Sequence, residues 1–172
     1  MRFLTLSEKQ LLQEYLQIKE PHVLISISNP NCIVKITNIP SCKGILKLKF
    51  QDIETIDEKS VFFDHGMART LLDFINETVD RINLIVVHCG AGVSRSVAVA
   101  SALSKIINNC DDYIFSKSSP NMLVYISILD CYFTEDKWNR ITYLRDKSLK
   151  ESLNPAIYRL ISHKLKKRGK NE

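Results

Sequence analysis

The run Leu84-Ile85-Val86-Val87 leads through His88-Cys89-Gly90-Ala91-Gly92-Val93-Ser94-Arg95-Ser96 into Val97-Ala98-Val99-Ala100-Ser101-Ala102-Leu103. No other stretch restricts the fold as strongly. A continuous apolar, mostly β-branched run reads as a strand buried on both faces, and such strands belong to parallel sheets covered by helices on each side. The segment from Val97 is apolar almost all round, the mark of a helix in the interior. The chain therefore passes, through a short loop of mostly small residues, from the end of a buried strand to the start of a buried helix. That junction is where α/β folds hold their ligands.

The rest of the chain fits this frame. Ser7-Glu8-Lys9-Gln10 reads as a capping box opening a helix to about Gln17, with Leu11, Leu12, Tyr15 and Leu16 as its apolar side. His22 to Ser28 reads as a strand, Asn29-Pro30-Asn31 as a turn, and Ile33 to Ile36 as a second short strand. In Gly44 to Phe50, Leu46, Leu48 and Phe50 alternate with Lys47 and Lys49, and Asp52 lies just past the strand end with the parity of its buried face. Asp64 caps a helix to about Ile82, and the buried helix after the loop ends near Asn108-Asn109. Ser119-Pro120 reads as a cap and first turn of a helix to about Phe133. Thr134 reads as the cap of a helix with Trp138, Ile141, Tyr143 and Leu144 in its core, and Asn154-Pro155 as the start of a final helix. The expected fold is α/β: a mostly parallel twisted sheet of about four to five strands flanked by helices, with a helical C-terminal part.

The loop carries the chemistry. Its small residues let successive backbone N–H groups point inward as an anion nest, and the following helix adds the positive end of its dipole. That field favours the thiolate of Cys89. Arg95 is placed to hold two oxygens of a phosphate bidentately, in a way lysine does not match. Ser96 is placed to donate a hydrogen bond to the sulfur, and His88 to fix the loop from the strand side. Each residue alone has a plain structural explanation, but their order between a buried strand and a buried helix does not.

His88-Cys89-x2-Gly92-x2-Arg95-Ser96 closely resembles the signature of the cysteine-dependent phosphatase superfamily, and on so short a chain looks most like the dual-specificity and compact tyrosine phosphatases. The resemblance implies that Cys89 forms a cysteinyl-phosphate while Arg95 and the loop from Gly90 through Ala91, Gly92, Val93 and Ser94 to Arg95 hold the transferring group. It also implies a carboxylic acid on an upstream loop that protonates the leaving oxygen. Asp52 is the first candidate and Asp57 the second, whereas Asp64 is better explained as a cap. Ser119-Pro120-Asn121 resembles the Pro-Asn element in which the asparagine braces the phosphate loop; its plain alternative is an early-turn polar residue. The expected activity is hydrolysis of phosphotyrosine, with phosphoserine and phosphothreonine next, in a phosphorylated protein substrate. No lysine lies in the loop, which argues against inositol lipids. An RNA 5′-triphosphatase of the same superfamily and a non-catalytic phosphate-binding module are the alternatives.

Composition adds bounds. With 172 residues, 45% hydrophobic and 25% charged, one domain over 1–172 is expected, with 134–172 as its helical extension. No apolar run approaches the ~18 residues of a membrane span, and the start turns charged at Glu8-Lys9, unlike a signal peptide. Five cysteines, an odd number without paired spacing, point to a reducing cytoplasm, and four of them, Cys32, Cys42, Cys110 and Cys131, read as buried hydrophobes. No spacing suggests a metal site, and the mechanism asks for no cofactor. The net charge of +5 is concentrated late, where Arg159, Lys164, Lys166, Lys167, Arg168 and Lys170 follow without an acid. A solvated helix end is the plain reading, and an RNA-binding patch the sharper one.

Overall fold

The computed structural model describes residues 1–55, 59–111, 118–135 and 137–143. Strand β4 (Leu84–Cys89) is buried at every position, as its unbroken apolar composition requires. It lies between β1 (Arg2–Ser7) and β2 (His22–Ser28), and β2 pairs in turn with β3 (Cys42–Lys49). All pairings are parallel, and the order is β1-β4-β2-β3, so the sheet has four strands.

Alternate residues of β4 enter different cores. Leu84 and Val86 pack with Leu6 and Leu24 against Leu11 and Tyr15 of α1 (Glu8–Glu14) and the short 3-10 turn after it. Ile85, Val87 and Cys89 face the larger core, which takes residues from α2 (His65–Thr78), α3 (Arg95–Asn108) and α4 (Met122–Thr134). Each fully buried branched side chain is worth about 1.5–3 kcal/mol relative to exposure, so the two faces of β4 fix its register and thereby the height at which Cys89 leaves the sheet.

Several expectations hold in detail. Ser7 makes both halves of the capping box with Gln10, Asp64 caps α2 through the Met67 N–H, and Asn109 ends α3 in the left-handed region at φ 57°. Others are corrected. β1, unassigned from sequence, is an edge strand in which only Leu6 is fully buried, so its pattern is weak. Residues 33–36 form no strand: Ile33 is 85% exposed, and Val34 and Ile36 pack onto the α1-side core instead of pairing. Leu12 and Leu16 are exposed, because the short α1 buries only the Leu11 and Tyr15 line.

The cap of α4 is Asn121, not Ser119; its side chain accepts from the Val124 N–H. Thr134 closes α4 by donating back to the Asp130 carbonyl, and the next helical residues among those described, 139–143, begin too far on for it to cap them. Trp138 and Ile141 are core residues as expected, whereas Tyr143 is exposed. Of the four cysteines expected to be buried only Cys131 is; Cys32 and Cys110 are exposed and Cys42 is half-buried. The expected helix from Asn154, Leu144, the basic residues 159–170 and Asp57 lie outside the described residues. No helix among the described residues is long and apolar enough to cross a membrane.

Candidate active site

The loop from Gly90 to Ser94 sits at the C-terminal end of β4 and is fastened from the β1 side. Gly92 has φ +77°, and a Cβ there would lie 2.5 Å from the Ser7 nitrogen, so only glycine lets the loop lie flat on the β1–α1 junction. The first N–H of α1, on Glu8, donates to the Gly90 carbonyl at 3.1 Å. The capping box thus orders the chain segment on which the loop rests.

Cys89 is buried, with its sulfur 3.2 Å from the Ser96 hydroxyl and 3.3 Å from the Gly92 N–H that donates to it. His88 contributes from beneath. Its Nε2 lies 2.7 Å from the Ser26 hydroxyl on β2, the register partner across the sheet, and burial pushes its pKa down to about 4. His88 is therefore neutral near pH 7 and ties β4 to β2 by hydrogen bonding, not by charge.

Arg95 begins α3 and returns toward the sheet, its side chain 8% exposed. Nη1 donates to the Phe50 carbonyl at 2.7 Å and to Asn29 Oδ1 at 2.8 Å. Nε is buried without a hydrogen bond, and its nearest carboxylate oxygen, Asp52 Oδ2, is 3.7 Å away. Nε is thus a donor without a hydrogen bond, on the edge of the guanidinium that a bidentate oxyanion would use.

Asp52 stands where β3 runs out, beside the loop and 38% exposed. Its Oδ1 accepts from Ser94 Oγ at 2.8 Å and from Asn121 Nδ2 at 2.9 Å. The structure places Cys89, Arg95, Ser96 and Asp52 around the same loop, and Asp64 caps α2. Asn121 is corrected in its target. It is buried and braces the acid-bearing loop, through Asp52 and the Ile53 carbonyl at 3.0 Å, with no direct bond to the phosphate loop. It also caps α4, the role that the sequence reading gave to Ser119.

Ser26, Asn29 and Glu54 were not anticipated as site residues. Glu54 accepts from the Met122 N–H at 3.0 Å, fastening the acid loop to the start of α4. Ser26 had a signal, a polar residue inside a buried strand; Asn29 read only as turn chemistry.

Among the described residues, one group elsewhere has metal-binding residue types: His65, Cys131 and Glu135, with donor atoms within 4.8 Å of one another. Arg69 grips Glu135 with Nη2 at 2.6 Å and Nε at 3.0 Å, and Lys137 stands 3.5 Å from the same carboxylate. The arginine and His65 hold Glu135 down to about 2, while burial pushes the Cys131 thiol up to about 11. A carboxylate already shared among cations beside a protonated thiol fits an ion-pair joint between α2 and α4 better than a metal centre.

No protein-family model matches the sequence, and no curated protein does. The fold does find likenesses among solved structures. One is a mouse protein described as a dual specificity phosphatase, complexed with zinc tungstate: TM-score 0.52, 14% identity, covering 74% of this chain and 80% of that one. Another is the human tyrosine phosphatase-like serine/threonine/tyrosine-interacting protein: TM-score 0.51, 15% identity, covering 74% of this chain and 89% of that one. The chain has the compact dual-specificity phosphatase fold.

Proposed function

We propose that the chain hydrolyses phosphomonoesters, with phosphotyrosine in proteins as the first substrate class and phosphoserine or phosphothreonine next. The observation that carries this reading is the convergence, at one loop, of the Cys89 sulfur, the unbonded Nε of Arg95 and the Asp52 carboxylate. Cys89 is the nucleophile, attacking phosphorus as a thiolate. The ester P–O bond breaks as the S–P bond forms, and Asp52 gives its proton to the leaving oxygen. Arg95 and the loop N–H groups take up the charge on the equatorial oxygens. Asp52, now a carboxylate, accepts a proton from water, which attacks phosphorus and releases the thiolate. Ser96, 3.2 Å from the sulfur, stabilises that leaving group.

The loop presents Val93 at its exposed rim and no lysine, which supports a phosphorylated side chain over a polyanionic lipid headgroup. A reducing, cytoplasmic setting suits a reaction that needs a free thiol.

The test is turnover of p-nitrophenyl phosphate, phosphopeptides, phosphoinositides and triphosphate-ended RNA by the purified chain. Phosphopeptide hydrolysis is expected to lead. Cys89→Ser should abolish turnover, by at least about four orders of magnitude, while still binding substrate. Appreciable residual activity would remove Cys89 from its role, and a wild-type chain that binds phosphate but turns over none of these esters is a binding module.

A further inference from the structure

We propose that Asn29 is a positioning residue that keeps the Arg95 guanidinium turned to the phosphate loop and out of a closed ion pair with Asp52. The inference rests on the phosphate-binding reading of the loop and concerns how its arginine stays available.

A guanidinium has five N–H donors in a rigid plane. In Arg95 both protons of Nη1 are used, on the Phe50 carbonyl and on Asn29 Oδ1, at 2.7 and 2.8 Å. These two bonds set the rotation of the plane. Nε has no hydrogen bond, and at 3.7 Å from Asp52 Oδ2 it is attracted without being bonded. A shift of under about 1 Å closes that gap to the ~2.8 Å of a charge-assisted bond. The closed pair would occupy the edge that phosphate needs and the carboxylate that acts as acid. Asp52 and an oxyanion are thus rivals for the same face of Arg95.

Phe50 alone does not prevent closure, because a plane held by one bond still turns about it. The second acceptor, on a different strand end, removes that freedom. Asn29 is suited to this: it follows β2 directly, and its own carbonyl accepts from the Cys32 N–H at 3.0 Å, so the turn fixes the backbone from which its side chain projects. Lys49 Nζ, 3.5 Å from the Pro30 carbonyl, ties the turn to β3, the strand that leads into Phe50 and Asp52.

Tungstate binding, measured by calorimetry, tests this without requiring turnover. Asn29 is exposed, so its replacement leaves the core intact, and thermal midpoints recorded alongside verify the fold. Asn29→Ala should weaken tungstate binding about tenfold, the usual cost of losing one charge-assisted hydrogen bond. In an Asp52→Asn background, where the rival charge is gone, the same substitution should cost less than about threefold by that reasoning. Asn29→Ser, shorter but still an acceptor, should fall between Asn and Ala.

Unchanged binding in Asn29→Ala, or an equal loss in both backgrounds, overturns the proposal. The equal loss would make Asn29 a generic support of the loop. Failure of the wild-type chain to bind tungstate is a different result: it removes the phosphate-site reading and the proposal with it.

Discussion

The loop after β4 and the loop after β3 meet at Asp52, but they are held by different means. The Gly90–Ser94 loop is fixed chiefly through backbone atoms, Gly92 against Ser7 and the Gly90 carbonyl on Glu8 across the sequence, and through the near neighbours Cys89, Ser96 and the Gly92 N–H. The loop that carries Asp52, tied at its start by the Gln51–Val61 pair, is fixed at Asp52 and Glu54 by partners distant in sequence. Ser94 is 42 residues from Asp52, Asn121 is 69 away, and Glu54 reaches Met122 across 68. A backbone cradle tolerates few substitutions at its glycine, whereas side-chain clamps yield one at a time. Binding of the phosphate and delivery of the proton should therefore be separable by mutation.

Asp52→Asn is the largest test of that separation. It should lower kcat about 10²- to 10³-fold on esters with poor leaving groups, the range typical for losing a general acid. The alkaline limb set by this acid should vanish from the pH profile, while tungstate affinity does not fall. A parallel loss of affinity would mean that the two loops act as one unit. An unchanged profile would move the acid to Asp57.

Gly92→Ala attacks the other side of the comparison. A side chain at φ +77°, with its Cβ 2.5 Å from the Ser7 nitrogen, forces the loop off the β1–α1 junction. Thermal unfolding should show a loss of about 3 kcal/mol, as expected for strain plus a backbone clash, and tungstate binding should disappear. Tolerance of alanine would show that side chains, not backbone contacts, fix this loop too.

His88 gives the comparison a pH dependence. Burial holds its folded-state pKa near 4, while in the unfolded chain it returns to about 6.5. Between those values the unfolded state binds the extra proton. Stability is therefore complete above about pH 6.5 and falls with acid, by roughly 2–3 kcal/mol at pH 4.5. His22, also lowered by burial, contributes with the same sign. Urea unfolding at pH 7 and 4.5 checks this, and His88→Gln should lose much of the difference. An equal pH dependence in the variant would take His88 out of the loop's floor.

How much the sequence disclosed follows the same division. The strand–loop–helix from Leu84 to Leu103 was readable because its determinants are local: an unbroken apolar run, small residues, and an apolar helix. The position of Asp52 just past β3 was readable from strand parity, whereas its reading as the acid came from the resemblance and not from any local pattern. Asn29 was not readable, since its partner lies 66 residues away and no local pattern distinguishes it from any turn asparagine. Neither the cap at Asn121 nor its reach to Asp52 was readable: the local Ser-Pro signal pointed to Ser119, and only the packing of α4 beside the loop after β3 creates the contact with Asp52. β1 escaped notice because an edge strand buries little and so has little periodicity to read.

Glu54→Gln is the finest test. The side chain keeps an acceptor for the Met122 N–H but loses the charge that favours the start of α4, a change worth about 0.3–1 kcal/mol. If the acid loop is held by separable clamps, kcat on phosphopeptides should fall about two- to fivefold on that scale, with tungstate affinity and its Asn29 dependence unchanged. The hydrogen bonds of Asn121 to Asp52 and Ile53 would still hold the loop in register, which is why the effect stays small. A much larger loss would mean that Glu54 and Asn121 act as a single latch at the start of α4. The acid would then be positioned by that helix as a whole, as firmly as the nucleophile is by the backbone of its loop.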